Sequence, residues 1–129
     1  MLQQIIQNTT SFFASVPKEQ RRTYGQFLTA EQSAVFMAQM FTFDLSKPEL
    51  HILDAGAGTG ILSAAVLERL AELGYAGHIH LVCYETDGKV LPVLIENLEI
   101  IKQKADFSYT VIQENYITTQ QFEGLFDEK

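Results

Sequence analysis

The sequence predicts an α/β chain, a parallel sheet of about three strands with flanking helices, preceded by an N-terminal helical extension. Three observations predict it. Short apolar runs at residues 50–53, 78–85 and 107–113 are separated by two segments of helical periodicity, and such alternation folds as a parallel sheet with right-handed crossovers. A glycine cluster, Gly56, Gly58 and Gly60, stands between the first run and the helical segment after it, as where a buried parallel strand enters a tight turn. Residues 1–46 read as helices joined by a loop. The chain is therefore divided into an N-terminal helical segment, 1–46, and the first part of an α/β domain, 47–129.

Taken in order, Leu2, Ile5, Ile6, Phe12 and Phe13 lie at helical spacing and form one apolar stripe. It ends near Val16-Pro17, because proline disfavours a helical residue before it. Pro17 then opens a short helix through Arg22. Tyr24-Gly25-Gln26-Phe27-Leu28 lacks periodicity and reads as an ordered loop. Thr29-Ala30-Glu31-Gln32 has capping-box spacing, so a helix is expected over 30–41. After the turn at Ser46-Lys47-Pro48 the period changes, and Leu50-His51-Ile52-Leu53 forms the first strand, ending in Asp54. Residues 61–73 are helical, with Gly74 as the stop. The second strand covers 78–85, and a helix over 89–104 carries Pro92 in its first turn. The third strand covers 107–113.

A length of 129 residues fits one domain. With 47% of residues hydrophobic and 19% charged, the chain can bury a core, which excludes a disordered tail or a collagen-like repeat. Sixteen acidic against nine basic residues give a net charge of -7, and a pI near 4.8 argues against a self-sufficient DNA-binding surface. The first fifty residues are balanced, so the acidity belongs to the later part. Cys83 is the only cysteine, which excludes an intrachain disulfide and a cysteine-based metal site and fits a reducing compartment. Its neighbours Leu81, Val82 and Tyr84 make it a buried core thiol. The start lacks the basic and apolar regions of a signal peptide, and no run of about 18 apolar residues occurs. The expectation is a cytoplasmic protein without membrane contact. His51, His78 and His80 form no metal set and read as solvated strand-end residues. Lys18, Arg21 and Arg22, beside Glu19, read as a solvated helix face rather than a phosphate site.

The informative segment is Leu53-Asp54-Ala55-Gly56-Ala57-Gly58-Thr59-Gly60. Its glycines let the backbone turn sharply and approach a ligand, and free amides at the following helix start face negative charge. The dinucleotide fingerprint requires glycine at position 61, where this chain has Ile61, and that lowers the nicotinamide-dinucleotide reading. Glu85 closes the second strand, 31 residues after Asp54, where a carboxylate can accept both hydroxyl hydrogens of a ribose. Asp87 is a solvated turn residue or the cap of the next helix. Asp54 either contacts the ligand or organises the amides of the turn.

Together these residues resemble class I S-adenosylmethionine-dependent methyltransferases, in which a glycine motif and a second-strand acid hold the methionine and ribose parts of the cofactor. The order of motifs narrows the resemblance. Tyr24-Gly25-Gln26-Phe27-Leu28-Thr29, ahead of the first strand, resembles the N-terminal cofactor motif of adenine-specific DNA methyltransferases from restriction-modification systems. There the threonine region approaches the methionine end, and a proline usually follows; here Ala30 follows Thr29, whose hydroxyl remains for that contact or for an N-cap. Gln113-Glu114-Asn115-Tyr116 resembles the family's next motif. By that resemblance the Asn115 amide oxygen accepts from the cofactor's adenine amine and Tyr116 packs on the purine.

The resemblance implies a partial Rossmann-like methyltransferase fold and a cofactor set of Tyr24, Gln26, Thr29, Asp54, Gly56, Gly58, Gly60, Glu85, Asn115 and Tyr116. It also implies a parent activity, methyl transfer to adenine N6 of DNA after the base is extruded from the duplex. The family's catalytic Asn/Asp-Pro-Pro-Tyr/Phe motif has no counterpart, since Pro17, Pro48 and Pro92 are not adjacent. The chain is thus expected to be an S-adenosylmethionine-binding portion, inactive alone, with DNA gripped elsewhere. Without the family's fourth strand, the strand Leu50-His51-Ile52-Leu53 is expected to present an unpaired edge and to favour self-association. The alternatives are a methyltransferase for RNA, protein or a small molecule, and a non-catalytic interaction module with a methyltransferase-like half-fold.

Overall fold

A computed structural model describes residues 1–19 and 31–117. Along the chain run α1 (Leu2–Ser15), α2 (Glu31–Met40), β1 (Glu49–Asp54), α3 (Ile61–Glu72), β2 (His78–Tyr84), α4 (Leu91–Lys104) and β3 (Phe107–Ile112). The three strands form one sheet in the order β1-β2-β3, and both pairings are parallel. The register sets Ile52 beside Leu81 and Leu81 beside Tyr109. This is the expected α/β architecture, a partial Rossmann-like sheet with its helical extension.

Three of the helix boundaries have identifiable causes. Leu2, Ile5, Thr9 and Phe12 of α1 are buried, a three-four-three spacing that keeps one helix face inward. The buried stripe differs from the expected one in containing Thr9, while Ile6 and Phe13 are only half-buried. Val16, ahead of Pro17, adopts an extended conformation with φ -87° and ψ 152°, as the proline ring requires. At the end of α3, Gly74 takes φ +77°. Its amide donates to the Ala71 carbonyl and the Tyr75 amide donates to Leu70, the paired bonds of a Schellman motif. The helix α4 begins two residues later than its pattern suggested. Asp87 Oδ1 accepts from the Lys89 amide at 2.9 Å and the Asp87 carbonyl accepts from Val90, so a turn precedes the helix.

Parallel connections place the helices. Leu50, Ile79, Leu81, Cys83 and Phe107 point from one face of the sheet into a single core shared with Ala64, Leu67 and Leu70 of α3 and Leu94, Leu98 and Ile101 of α4. Leu2 and Ile5 of α1, with Ala34 and Ala38 of α2, close that core from outside α3. The opposite face of the sheet carries His51, Leu53, His80 and Thr110, and Leu53 is 48% exposed. Among the described residues β1 pairs with β2 alone, so its other edge is open. No helix among them is long and apolar enough to cross a membrane.

Candidate functional site

The carboxyl end of β1 passes directly into the glycine turn. Gly58 has φ +55° and Gly60 φ +90°, values that residues with a Cβ rarely adopt. Gly56 has no such conformation, and a Cβ built on it would meet nothing within 4 Å. Two of the glycines are required by backbone geometry, whereas Gly56 leaves open space where the chain leaves β1. Gly60 caps α3, and no side chain caps that helix start.

Two carboxylates hold the turn. Asp54 Oδ1 accepts from the Gly56 amide at 3.3 Å and its Oδ2 accepts from the Ser63 hydroxyl at 2.8 Å. Glu85 Oε1 accepts from the Gly58 amide at 2.8 Å, and its Oε2 from the Asp87 amide at 2.9 Å. A backbone bond from the Ala57 amide to the Tyr84 carbonyl, 3.1 Å, joins the same two segments. Glu85 reaches the turn because its own amide continues the ladder to the Ile112 carbonyl of β3, which fixes the backbone one residue past β2.

Beyond β3, Asn115 is exposed and Tyr116 half-buried. The Tyr116 ring stands edge-on to Tyr84, with centroids 5.1 Å apart. Asp54, the glycine turn, Glu85 and Tyr116 are thus brought together at the carboxyl edge of the sheet, where ligands of open α/β sheets bind. Tyr24, Gln26 and Thr29, with Arg21 and Arg22 of the basic cluster, lie outside the described residues.

The histidines lie toward the other end of the sheet. His78 Nδ1 is 2.6 Å from Asp106 Oδ1, and both His78 and His80 share the Ser108 hydroxyl. His51 pairs with Glu49 at 3.4 Å. Among the described residues no group of three or more His, Cys, Asp or Glu is disposed to hold a metal.

Four residues of the turn's surroundings were not singled out from the sequence as site residues. Asn97 of α4 is fully buried, and its Nδ2 donates to the Thr59 carbonyl at 2.7 Å. Asn8 Nδ2 donates to Asn97 Oδ1 at 2.7 Å, and the Thr9 and Thr59 hydroxyls are 2.8 Å apart. The available signal was an asparagine within the apolar stripe of Leu94, Leu98 and Ile101, a position that requires a polar partner.

The fold and site define a class, a partial Rossmann-like α/β unit with a glycine turn after its first strand and an acid just past its second. No protein-family model matches the chain. Over 107 residues, 81% of this chain, it is 35% identical to the type II methyltransferase M.BsuBI of Bacillus subtilis. Over 85 residues, 66% of this chain, it is 36% identical to the type II methyltransferase M.PstI of Providencia stuartii. The matched regions are 20% and 16% of those proteins, so the chain spans no more than about a fifth of either relative. The chain resembles restriction-modification methyltransferases over most of its own length.

Two outcomes follow. Gly60→Ala forces a side chain into the left-handed region and sets its Cβ 3.2 Å from Leu94 Cδ1, so urea denaturation should show a loss of about 1–3 kcal/mol. Gly56→Ala should stay within about 0.5 kcal/mol of the unaltered chain.

A third outcome concerns pH. Burial first, then the charge of Asp54, pushes the Cys83 thiol from 9.0 up to about 12, against a hydrogen bond with Ser63. Burial, then the hydrogen bond and charge of Glu99, likewise raises Tyr109 from 10.0 to about 12. The unfolded chain therefore releases these protons first, and stability present below about pH 9 is lost progressively toward pH 12. Urea midpoints measured from pH 8 to 11 should fall, and Cys83→Ala should flatten the part of the slope that starts lowest.

Proposed function

We propose that this chain is the S-adenosylmethionine-binding part of a DNA methyltransferase that methylates adenine N6 in a restriction-modification system of the cytoplasm. The observation that carries the reading is the Glu85 carboxylate, held beside the glycine turn by the Gly58 and Asp87 amides. The two type II methyltransferases to which the chain is similar support the same class. The residues fit the cofactor. A carboxylate has about four acceptor sites, so Glu85 can accept ribose hydroxyl hydrogens while keeping both amides. Gly56 leaves space where a Cβ would otherwise project, and the start of α3, without a side-chain cap, favours the methionine carboxylate.

Asp54 organises this site by holding the Gly56 amide and Ser63. Asn115 accepts from the adenine amine and Tyr116 packs on the purine, while Tyr24, Gln26 and Thr29 serve the methionine end. When bound, S-adenosylmethionine supplies a methyl group activated by its sulfonium. DNA is a partner of the longer protein, through surface other than this acidic portion, and the portion alone is inactive.

Calorimetric titration with S-adenosylmethionine and S-adenosylhomocysteine tests the reading. Glu85→Ala should weaken binding about ten-fold or more, the order expected for lost hydrogen bonds to a charged group. Gly56→Ala should weaken binding without loss of stability, which separates ligand contact from disruption of the turn. No binding by the folded chain would overturn the reading in favour of an interaction module. DNA treated with the complete protein should yield N6-methyladenine on digestion; methylcytosine would overturn the adenine assignment.

We also propose self-association through the edge of β1 that no described residue pairs, beside which Leu53 is 48% exposed, because an unpaired apolar edge is a template for another strand. Sedimentation velocity over a concentration series should show a concentration-dependent dimer, and Leu53→Lys should shift it toward monomer. A monomer at every concentration would remove the proposal.

A further inference from the structure

The glycine turn is held from outside by more than its two carboxylates. Thr59 stands between Gly58 and Gly60, the two residues with positive φ, and is 2% exposed. Its carbonyl accepts from Asn97 Nδ2 at 2.7 Å, and its hydroxyl lies 2.8 Å from that of Thr9. Thr9 Oγ1 is also 2.8 Å from the Ile5 carbonyl. A hydroxyl has one proton, so both contacts are satisfied when Thr9 donates to Ile5 and accepts from Thr59. Asn97 completes the circuit. Its Oδ1 accepts from Asn8 Nδ2 at 2.7 Å, and Gln4 Nε2 donates to Asn8 Oδ1 at 3.2 Å. Thr9, Thr59 and Asn97 are all buried, where a lost partner cannot be replaced freely by water.

From this circuit we infer that α1 is a positioning element of the cofactor site. Thr9 and Asn8 fix Thr59 and Asn97, and through them the conformation in which the Gly58 and Gly60 backbone meets the cofactor. The inference rests on the cofactor reading of the turn and assigns α1 a role that the glycine motif alone does not imply. Glycines at 58 and 60 permit the turn's conformation but also permit others. The hydrogen bonds at Thr59 select one of them. Thr9 and Asn97 act through the turn and need touch no ligand.

The experiment combines cofactor titration with amide hydrogen exchange at Gly58 and Gly60, whose amides donate to Glu85 and to the Ala57 carbonyl. Thr9→Val keeps the shape and removes the hydroxyl, Thr9→Ser restores the hydroxyl, and Ile5→Val alters the core of α1 without touching the turn. Thr9→Val should bind S-adenosylmethionine about five- to ten-fold more weakly, the range of one buried hydrogen bond, and speed turn exchange by a similar factor. Thr9→Ser should stay within about two-fold. Ile5→Val should lower the denaturation midpoint while leaving affinity and turn exchange unchanged. Thr9→Val and Thr59→Val should be non-additive in affinity.

Equal affinity and turn exchange in Thr9→Val and the unaltered chain would overturn the inference and leave the cofactor reading standing. Faster turn exchange in Thr9→Val, with no cofactor bound by either chain, would keep the ordering role of α1 and remove the cofactor reading. Weaker binding in Ile5→Val equal to that in Thr9→Val would reduce the effect to general stability and overturn the inference.

Discussion

Two left-handed residues, Gly58 and Gly60, reverse the chain from β1 into α3, and the arrangement of the site follows from that reversal. It brings the Gly58 amide to Glu85, closes the Gly60 amide onto Ala57 at 2.9 Å, and starts α3 close enough to β1 for Ser63 to reach Asp54. A turn with two such residues and one between them has much freedom to lose. The fold supplies the compensation from three directions. The end of β2 contributes Glu85, α4 contributes Asn97, and α1 contributes Thr9.

Glu85 and Asp54 illustrate how a carboxylate can be both structural and available. The hydrogen bonds of Asp54 are those of a loop organiser, with one oxygen on an amide of the turn and the other on the first turn of α3. Glu85 is different in placement. Its two amide bonds come from opposite sides, one from the β1 turn and one from its own, which orients the carboxylate at the strand ends and leaves acceptor capacity there. A ligand hydroxyl would meet a group already aimed, so little side-chain entropy remains to be lost on binding.

The strands and helices were legible because each announces its period. The apolar run at residues 50–53, bounded by Pro48 and Gly56, is short for a helix and suits a strand, and Gly74 and Pro92 mark helix boundaries by mechanism rather than by frequency. Roles inside the glycine motif were not legible. Gly56, Gly58 and Gly60 look alike in sequence, yet only the last two carry positive φ, because φ depends on how the whole turn closes. Thr9 and Asn97 escaped for a related reason. A threonine or asparagine in an apolar stripe shows that a partner must exist, but its partner lies 50 residues away for Thr9 and 38 for Asn97. Only the tertiary packing of α1 and α4 on the turn supplies it.

Charge adds the last constraint. The acidic excess of the chain belongs to residues 51–129, the part that builds the glycine turn. S-adenosylmethionine at neutral pH carries an ammonium, a sulfonium and one carboxylate, a net positive ligand. A negative surround raises the local concentration of such a ligand and repels phosphodiesters. On the proposed cofactor reading the general field is refined by local groups at the turn, Glu85 for the ligand's hydroxyls and the uncapped α3 start for its one anionic group. On that same reading, the distribution that disfavours a direct grip on DNA favours a cationic cofactor.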